Sequence, residues 1–257
     1  MHEWQWQRWE GLPYLTCSLL RDWQHGFFTQ HFWSRTPEEL VDVFSPSTAV
    51  YRLKQVHGNR VLMPSEIPQT EGELASGDGM MTEEPDQSVW VASADCTPVL
   101  IADRATGRVA AIHAGWRGTA QQIVPTAIAR FLQFGTQKSD LCIALGPAIA
   151  GEVYQVSTEV AIEVGQTILP SEPSRSPDGT LAALEQLPHP PILSDPHPNR
   201  VRLDVRRVNA LQIEQLGISA EQVALAPHCT YQQPDNFFSY RRTQEKKVQW
   251  SGIISNP

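Results

Sequence analysis

The chain has 257 residues, a formal net charge of −8, 41% hydrophobic and 19% charged residues. That length and balance admit one large globular domain, residues 1–257, with a sizeable core, and exclude a disordered chain. The acidic excess speaks against a nucleic-acid partner, and no apolar run approaches the roughly 18 residues that span a bilayer.

The N-terminus has neither the basic flank nor the apolar centre of a signal peptide, so a cytoplasmic location is expected. Cys17, Cys96, Cys142 and Cys229 are too scattered for a disulfide scaffold and read as thiols of a reducing compartment. Trp4-Gln5-Trp6 alternates like an edge strand with one apolar face. Gly26 to Gln30 reads as a strand. Thr36, Pro37, Glu38 and Glu39 make a helix start, with a capping hydroxyl, proline at the first position and acids in the first turn. Val50 to Leu53 is a strand, and Gly58-Asn59 is a turn signal that leaves His57 at a turn lip. Gly77-Asp78-Gly79 predicts a tight, unusual backbone. It is not a phosphate loop, because no Gly-Lys-Ser/Thr follows. Ser88 to Ala94 is the next strand.

Two apolar runs then flank the turn signal Asp103 to Gly107. They read as adjacent buried strands, with Cys96 opening the first and His113 closing the second. Paired as a hairpin, they bring a thiol and an imidazole together. That suits either a metal site or a Cys/His nucleophile pair. A helix is predicted from Thr119 to Phe134, with Pro125 marking a kink or a restart. Leu141 to Leu145 is a buried strand stopped at Gly146-Pro147, and a second helix runs from Ser157 to Leu169. Residues 170–200 hold eight prolines. They predict a surface excursion of weak core material, with at most one short helix at Leu181 to Gln186. Asp204 caps a helix to Leu216, stopped by Gly217. Val223 to Ala226 and Val248 to Ile254 are strands. The order predicts an α/β or α+β fold, one domain with a mixed sheet layered with helices. Without strict βαβ alternation or GxGxxG, a doubly wound nucleotide-binding fold is not expected.

Six segments together resemble the YfiH-like family, once labelled a multicopper polyphenol oxidase or laccase domain. They are Gln55-Val56-His57-Gly58, Gly77 to Thr82, Ala94 to Leu100, His113 to Gly118, Phe237 to Arg242, and Gly146 to Ile149 with Tyr154-Gln155-Val156. The resemblance implies a fold like that of toxin deamidases of the cytotoxic-necrotizing-factor type. It implies a zinc-dependent purine nucleoside enzyme, acting by phosphorolysis of adenosine, inosine, guanosine or methylthioadenosine and by adenosine deamination. Its implied zinc ligands are His57, Cys96 and His113, with the fourth position open to a water of lowered pKa. Asp95 and Asp78 become candidates for proton transfer or for orienting a ligand imidazole. Arg117, Arg241 and Arg242 become candidates for phosphate, because a guanidinium fork matches it. Gln55 joins them as a candidate substrate contact. Two places depart from the family: Phe28-Thr29-Gln30-His31-Phe32 lacks an arginine and a glycine pair, and no Gly-Arg follows Arg242.

Other readings compete. Cys96 as nucleophile with His113 as base makes a metal-independent cysteine hydrolase or deamidase. A copper-binding phenol oxidase is a third reading. The eight histidines contain no His-x-His pair, which argues against a full copper cluster, although Cu²⁺ can substitute at a three-ligand site. A metal-stabilised binding protein is the non-enzymatic reading. Trp116 reads equally as packing or as a stacking wall for a purine. Cys17 and Cys142 read as core residues, His228-Cys229 as a second Cys/His neighbour pair that is more a decoy than a pocket lining, and His189 and His197 as surface residues.

Overall fold

The computed structural model describes residues 2–68 and 72–257. The chain opens with a hairpin, β1 (Trp4–Trp9) and β2 (Leu12–Cys17). Its two-residue turn, Glu10-Gly11, has positive φ at both positions, as a right-twisted hairpin needs. Then come β3 (His25–Phe28), the one-turn α1 (Pro37–Leu40), β4 (Ala49–Arg52), β5 (Val61–Leu62) and β6 (Gly79–Met81). The middle holds β7 (Gln87–Ser93), β8 (Thr97–Asp103), β9 (Val109–Ala114), α2 (Trp116–Ala120), α3 (Ile123–Gln133) and β10 (Leu141–Leu145). The last part holds β11 (Gln155–Ser157), α4 (Thr158–Gly165), α5 (Pro177–Glu185), β12 (Ile192–Ser194) and β13 (Arg200–Leu203). It closes with α6 (Val205–Gln215), β14 (Val223–Leu225), α7 (Tyr240–Thr243) and β15 (Gln249–Ile254).

The α/β class holds, with two large mixed sheets where one was expected. One six-stranded sheet runs β1-β2-β3-β15-β7-β4 and the other β14-β10-β8-β9-β6-β5. The second is buried on both faces. Leu100, Ala102, Val109, Ala111, Cys142 and Ala144 share a core with Leu15, Phe27, Val89 and Val91 of the first sheet. Val99, Ile101, Ala110, Ile112, Leu141 and Ile143 point the other way, onto Ile123, Ala127, Ile128 and Phe131 of α3 and Ile213 of α6. Double burial is why β8, β9 and β10 read as unbroken apolar runs rather than as alternating ones. Cys17 and Cys142 are core residues here, at 1% and 0% exposure. Among the described residues, no helix is long and apolar enough to cross a membrane.

The edge-strand reading of Trp4-Gln5-Trp6 holds: β1 is the outer strand of its sheet, with Trp4 on Phe27 and Trp6 on Phe237, while Trp9 stacks on Phe32. Three expectations are corrected. The helix after His113 starts at Trp116, breaks at Gln122 in the left-handed region, and restarts at Ile123 with Pro125 in its first turn. Proline is tolerated there because first-turn N–H groups have no partner in the helix. Residues 170–200 are largely exposed but also contribute α5 and β12. Leu184 and Ile192 join Val201, Leu203, Val205 and Val208 in a separate cluster under the small sheet β11-β13-β12. The prolines hid these strands by interrupting the periodicity. Gly77 and Gly79 are not among the positive-φ glycines. Gly79 serves close packing instead: a Cβ there would meet Ile112 Cδ1 at 2.7 Å.

Candidate metal centre

The antiparallel register of β8 and β9 pairs Pro98 with His113 and Thr97 with Ala114. Cys96, one residue before β8, therefore lies across from Gly115, just past the end of β9. The third side chain comes from the loop ahead of β5, where His57 sits at φ 60°, an unusual value for a residue with a Cβ. The ligand atoms of His57, Cys96 and His113 all lie within 4.8 Å of one another. The two imidazole rings stand nearly perpendicular, centroids 4.8 Å apart. Burial grades from exposed His57 through half-buried Cys96 to buried His113.

Gly115 makes the convergence sterically possible. A Cβ at this position would lie 2.8 Å from Cys96 Sγ and 3.3 Å from His57 Cδ2. Gly115→Ala is expected to push the sulfur aside and to weaken metal binding by about 10-fold or more, since ligand misplacement of this size is comparable to losing an outer support. Competition against a chromophoric chelator measures it; unchanged affinity means the sulfur is not a ligand.

Asp78 organises the loop and the buried histidine at once. Its carboxylate accepts the backbone N–H groups of Val56 (3.1 Å), His57 (2.9 Å) and Gly58 (2.8 Å). Three successive amides around one anion hold His57 in its left-handed conformation. The same carboxylate lies 2.9 Å from His113 Nδ1, and the His113 amide donates to the Asp78 carbonyl at 2.7 Å. An ionised carboxylate only accepts, so Nδ1 carries the proton and Nε2 faces Cys96 and His57. One thiol, two imidazoles and a carboxylate behind one of them form a donor set that can hold a metal ion.

The electrostatics follow from this crowding. Burial alone would raise the Cys96 thiol, but the charge on His113 and hydrogen bonds from His113 and His57 bring it down to about 6. Burial would lower His113, yet the Cys96 thiolate and Asp78 raise it to about 9. At pH 7 the metal-free pair is thus thiolate and imidazolium. Metal coordination needs the thiolate and a neutral Nε2, so binding is expected to release about one proton at pH 7, from His113. Calorimetric titrations in two buffers of different ionisation enthalpy count it. A release near zero means that His113 is neutral before binding.

Other residues singled out from the sequence fall into two groups. Near the cluster, Asp95 precedes Cys96, and its carboxylate accepts from Thr230 Oγ1 (2.7 Å) and the Arg241 amide (2.8 Å). The Arg241 guanidinium lies 4.8 Å from the Tyr154 ring centre and donates to the Gln155 carbonyl at 2.8 Å. Exposed Arg117 stacks at 4.3 Å on half-buried Trp116 and has no carboxylate partner among the described residues. Tyr154 carried no role in the sequence reading, although its motif was noted. Burial pushes its phenol up to about 12, the Cys96 thiolate adding to the rise while Arg241 and Arg117 oppose it. It therefore stays protonated beside the cluster.

Gln55 and Arg242 are bonded to backbone groups. The Gln55 carboxamide bonds both the amide and the carbonyl of Ala92, pairing with β7 like an extra rung. Arg242 donates to the carbonyls of Thr230, Tyr231 and Phe237. In this arrangement the Gln55 carboxamide and two nitrogens of the Arg242 guanidinium already have backbone partners. Cys229 accepts from the Ala150 amide and His228 Nδ1 meets Gln233, so this pair stands outside the ligand cluster. His189 and His197 are exposed.

Residues 36–255 match the family model described as multi-copper polyphenol oxidoreductase laccase. A Synechocystis protein named purine nucleoside phosphorylase is 51% identical over 256 residues, covering 98% of this chain and 97% of the relative. The Bacillus subtilis protein YlmD, also named purine nucleoside phosphorylase, is 29% identical over 84% of this chain and 74% of its own. The crystal structure of Geobacillus stearothermophilus YlmD shares the fold with a TM-score of 0.80 at 23% identity, covering 98% of this chain and 99% of that one. Bacillus licheniformis YfiH follows with a TM-score of 0.76 at 21% identity, covering 97% and 98%.

Proposed function

The chain belongs to the multi-copper polyphenol oxidoreductase laccase family, also called the YfiH family, and from that membership we propose that it is a zinc-dependent purine nucleoside phosphorylase that also deaminates adenosine. The observation that carries the reading is the convergence of His57, Cys96 and His113, with Asp78 behind His113. The relative that is 51% identical, and named for this activity, supports it. A zinc ion at these side chains supplies a Lewis acid with room for one further ligand.

The chain's own residues would do the rest. Asp78 takes the Nδ1–H of His113, which leaves Nε2 as the nitrogen that gives up its proton to a metal, and fixes the loop of His57. Arg241 uses one of its five N–H donors on Gln155, and its other donors, with those of Arg117, suit a phosphate. Protonated Tyr154 offers a hydrogen bond to an oxyanion or a ribose hydroxyl. Trp116, half-buried beside them, offers a wall for a purine. Asp95 has both carboxylate oxygens engaged, which favours holding structure over moving a proton. The partners are then a purine nucleoside and inorganic phosphate, without nucleic acid or membrane. Four unpaired cysteines suit the cytoplasm. Among the described residues one such three-ligand cluster is found, which suits a single ion better than a multicopper assembly, although Cu²⁺ can replace zinc there.

The test is metal-quantified protein incubated with adenosine, inosine, guanosine and methylthioadenosine, with and without phosphate. Free base formed only with phosphate, and inosine formed from adenosine, are the expected results. Turnover of none of these by zinc-loaded protein overturns the reading.

A second reading has one observation behind it. Cys96, His113 and Asp78 are also arranged as nucleophile, base and orienting carboxylate, with no need of His57. That enzyme keeps its activity in chelator and after His57→Ala, and loses it on thiol alkylation.

A further inference from the structure

Asp95 has a backbone φ of 91°, in the region that favours glycine, yet a bulkier residue occupies it. It is 9% exposed. Its atoms collect bonds from three separate segments. Its carbonyl accepts the Ile149 amide (3.0 Å) from the turn after β10. One carboxylate oxygen accepts Thr230 Oγ1, after β14, and the other accepts the Arg241 amide at the start of α7. Thr230 is in turn tied to the β10 turn through the Ala148 carbonyl. A glycine would suit the backbone and lose both side-chain bonds, so a reason for aspartate lies in those bonds.

The bonds join two parts of the candidate site. Cys96 follows Asp95 directly, and Arg241 receives its backbone anchor from the same side chain. The Arg241 guanidinium is fixed further along by Tyr154 and the Gln155 carbonyl. Arg241 is therefore held at both ends, at its amide and at its fork. Only the amide end is referred to the strand that carries a metal ligand. We infer that Asp95 is a positioning residue that locks the α7 turn carrying Arg241 onto the bend before β8 that carries Cys96, and so sets the distance between the anion contact and the metal. This rests on the proposed phosphorolysis for its kinetic consequence, but its structural content is independent of it.

The experiment compares zinc-loaded wild type, Asp95→Gly and Asp95→Asn in the full chain. Glycine relieves the backbone and removes the carboxylate. Asparagine keeps both contacts: its Oδ1 accepts the Arg241 amide, and its Nδ2 donates to Thr230 Oγ1 once that hydroxyl turns. Asp95→Gly is expected to keep its zinc and raise the KM for phosphate about tenfold, with kcat within about threefold. Amide exchange over residues 240–243 is expected to quicken by about tenfold. Asp95→Asn should restore both. Unchanged exchange in Asp95→Gly overturns the lock. So does a collapse of kcat with KM unchanged, or an Asn variant as impaired as the Gly variant, because either points to the ionised carboxylate in the chemistry. Should wild type show no phosphorolysis, the proposed function fails alone. Exchange and calorimetric binding of inorganic phosphate to the zinc-loaded variants then decide the lock.

Discussion

Cys96→Ala is expected to leave the fold intact, to drop bound zinc from about one ion per chain to near zero, and to slow phosphorolysis by about 10³-fold or more. The size follows from the Lewis acid's share of transition-state stabilisation, several kcal/mol, at about 1.4 kcal/mol per factor of ten. The fold survives because Cys96 is half-buried at a bend, while the cores flanking β8 are built from Val99, Leu100, Ile101 and Ala102. His57→Ala separates the two readings of the cluster. It removes an exposed side chain that helps to lower the Cys96 thiol but is neither nucleophile nor base, so activity surviving His57→Ala and chelator would reject zinc catalysis. Metal analysis, circular dichroism and phosphate-dependent release of free base on the same preparations complete the test.

Asp78→Ala carries the largest expected cost in stability. Asp78 is 1% exposed and its carboxylate bonds three backbone amides and the His113 ring. Hydrogen bonds to a charged group are each worth about 1.5–3 kcal/mol net, and they are not additive. Removing one partner of a buried charged pair typically costs about 3–5 kcal/mol, which is the expected loss in urea unfolding. Zinc affinity should fall by about 10- to 100-fold as well, because His113 loses its orienting partner. Burial pushes the Asp78 carboxyl up, but the His113 bond and the Gly58 and Val56 amides outweigh it and hold it below its ordinary value. A depressed folded pKa adds stability that is present above the unfolded value, about 3.9, and lost as pH falls through the lower folded one. Asp78→Asn should therefore flatten the acid limb of the stability profile. An acid limb identical to wild type means the carboxylate is not the group titrating there.

Much of the site was legible because its chemistry sits at the ends of strongly apolar strands. Cys96 and His113 frame a hairpin whose turn ends at Gly107, with φ 70°, so local signals alone brought them together. Asp78 was legible as a candidate, but not the nest of amides it fills. Gln55 and Arg242 are candidates by residue type, and residue type does not reveal the bonds that both side chains make to backbone. Tyr154 passed without a role because nothing in the sequence shows which strand carries it to the cluster. The small sheet was missed for a related reason: β12 is three residues long and β13 four, amid prolines.

By itself the sequence determined the α/β class and most of the local elements, while His57, Cys96 and His113 were candidates through the family resemblance. Apolar periodicity, capping residues and turn formers act over a few residues, and so can be read without the fold. Only the tertiary structure decided that two sheets share a core, that His57 reaches the hairpin through a loop wrapped on Asp78, and that Arg241 is anchored to Asp95 from the far end of the chain. Those contacts join segments distant in sequence. Their partners are chosen by which buried polar groups remain to be matched once the cores have packed.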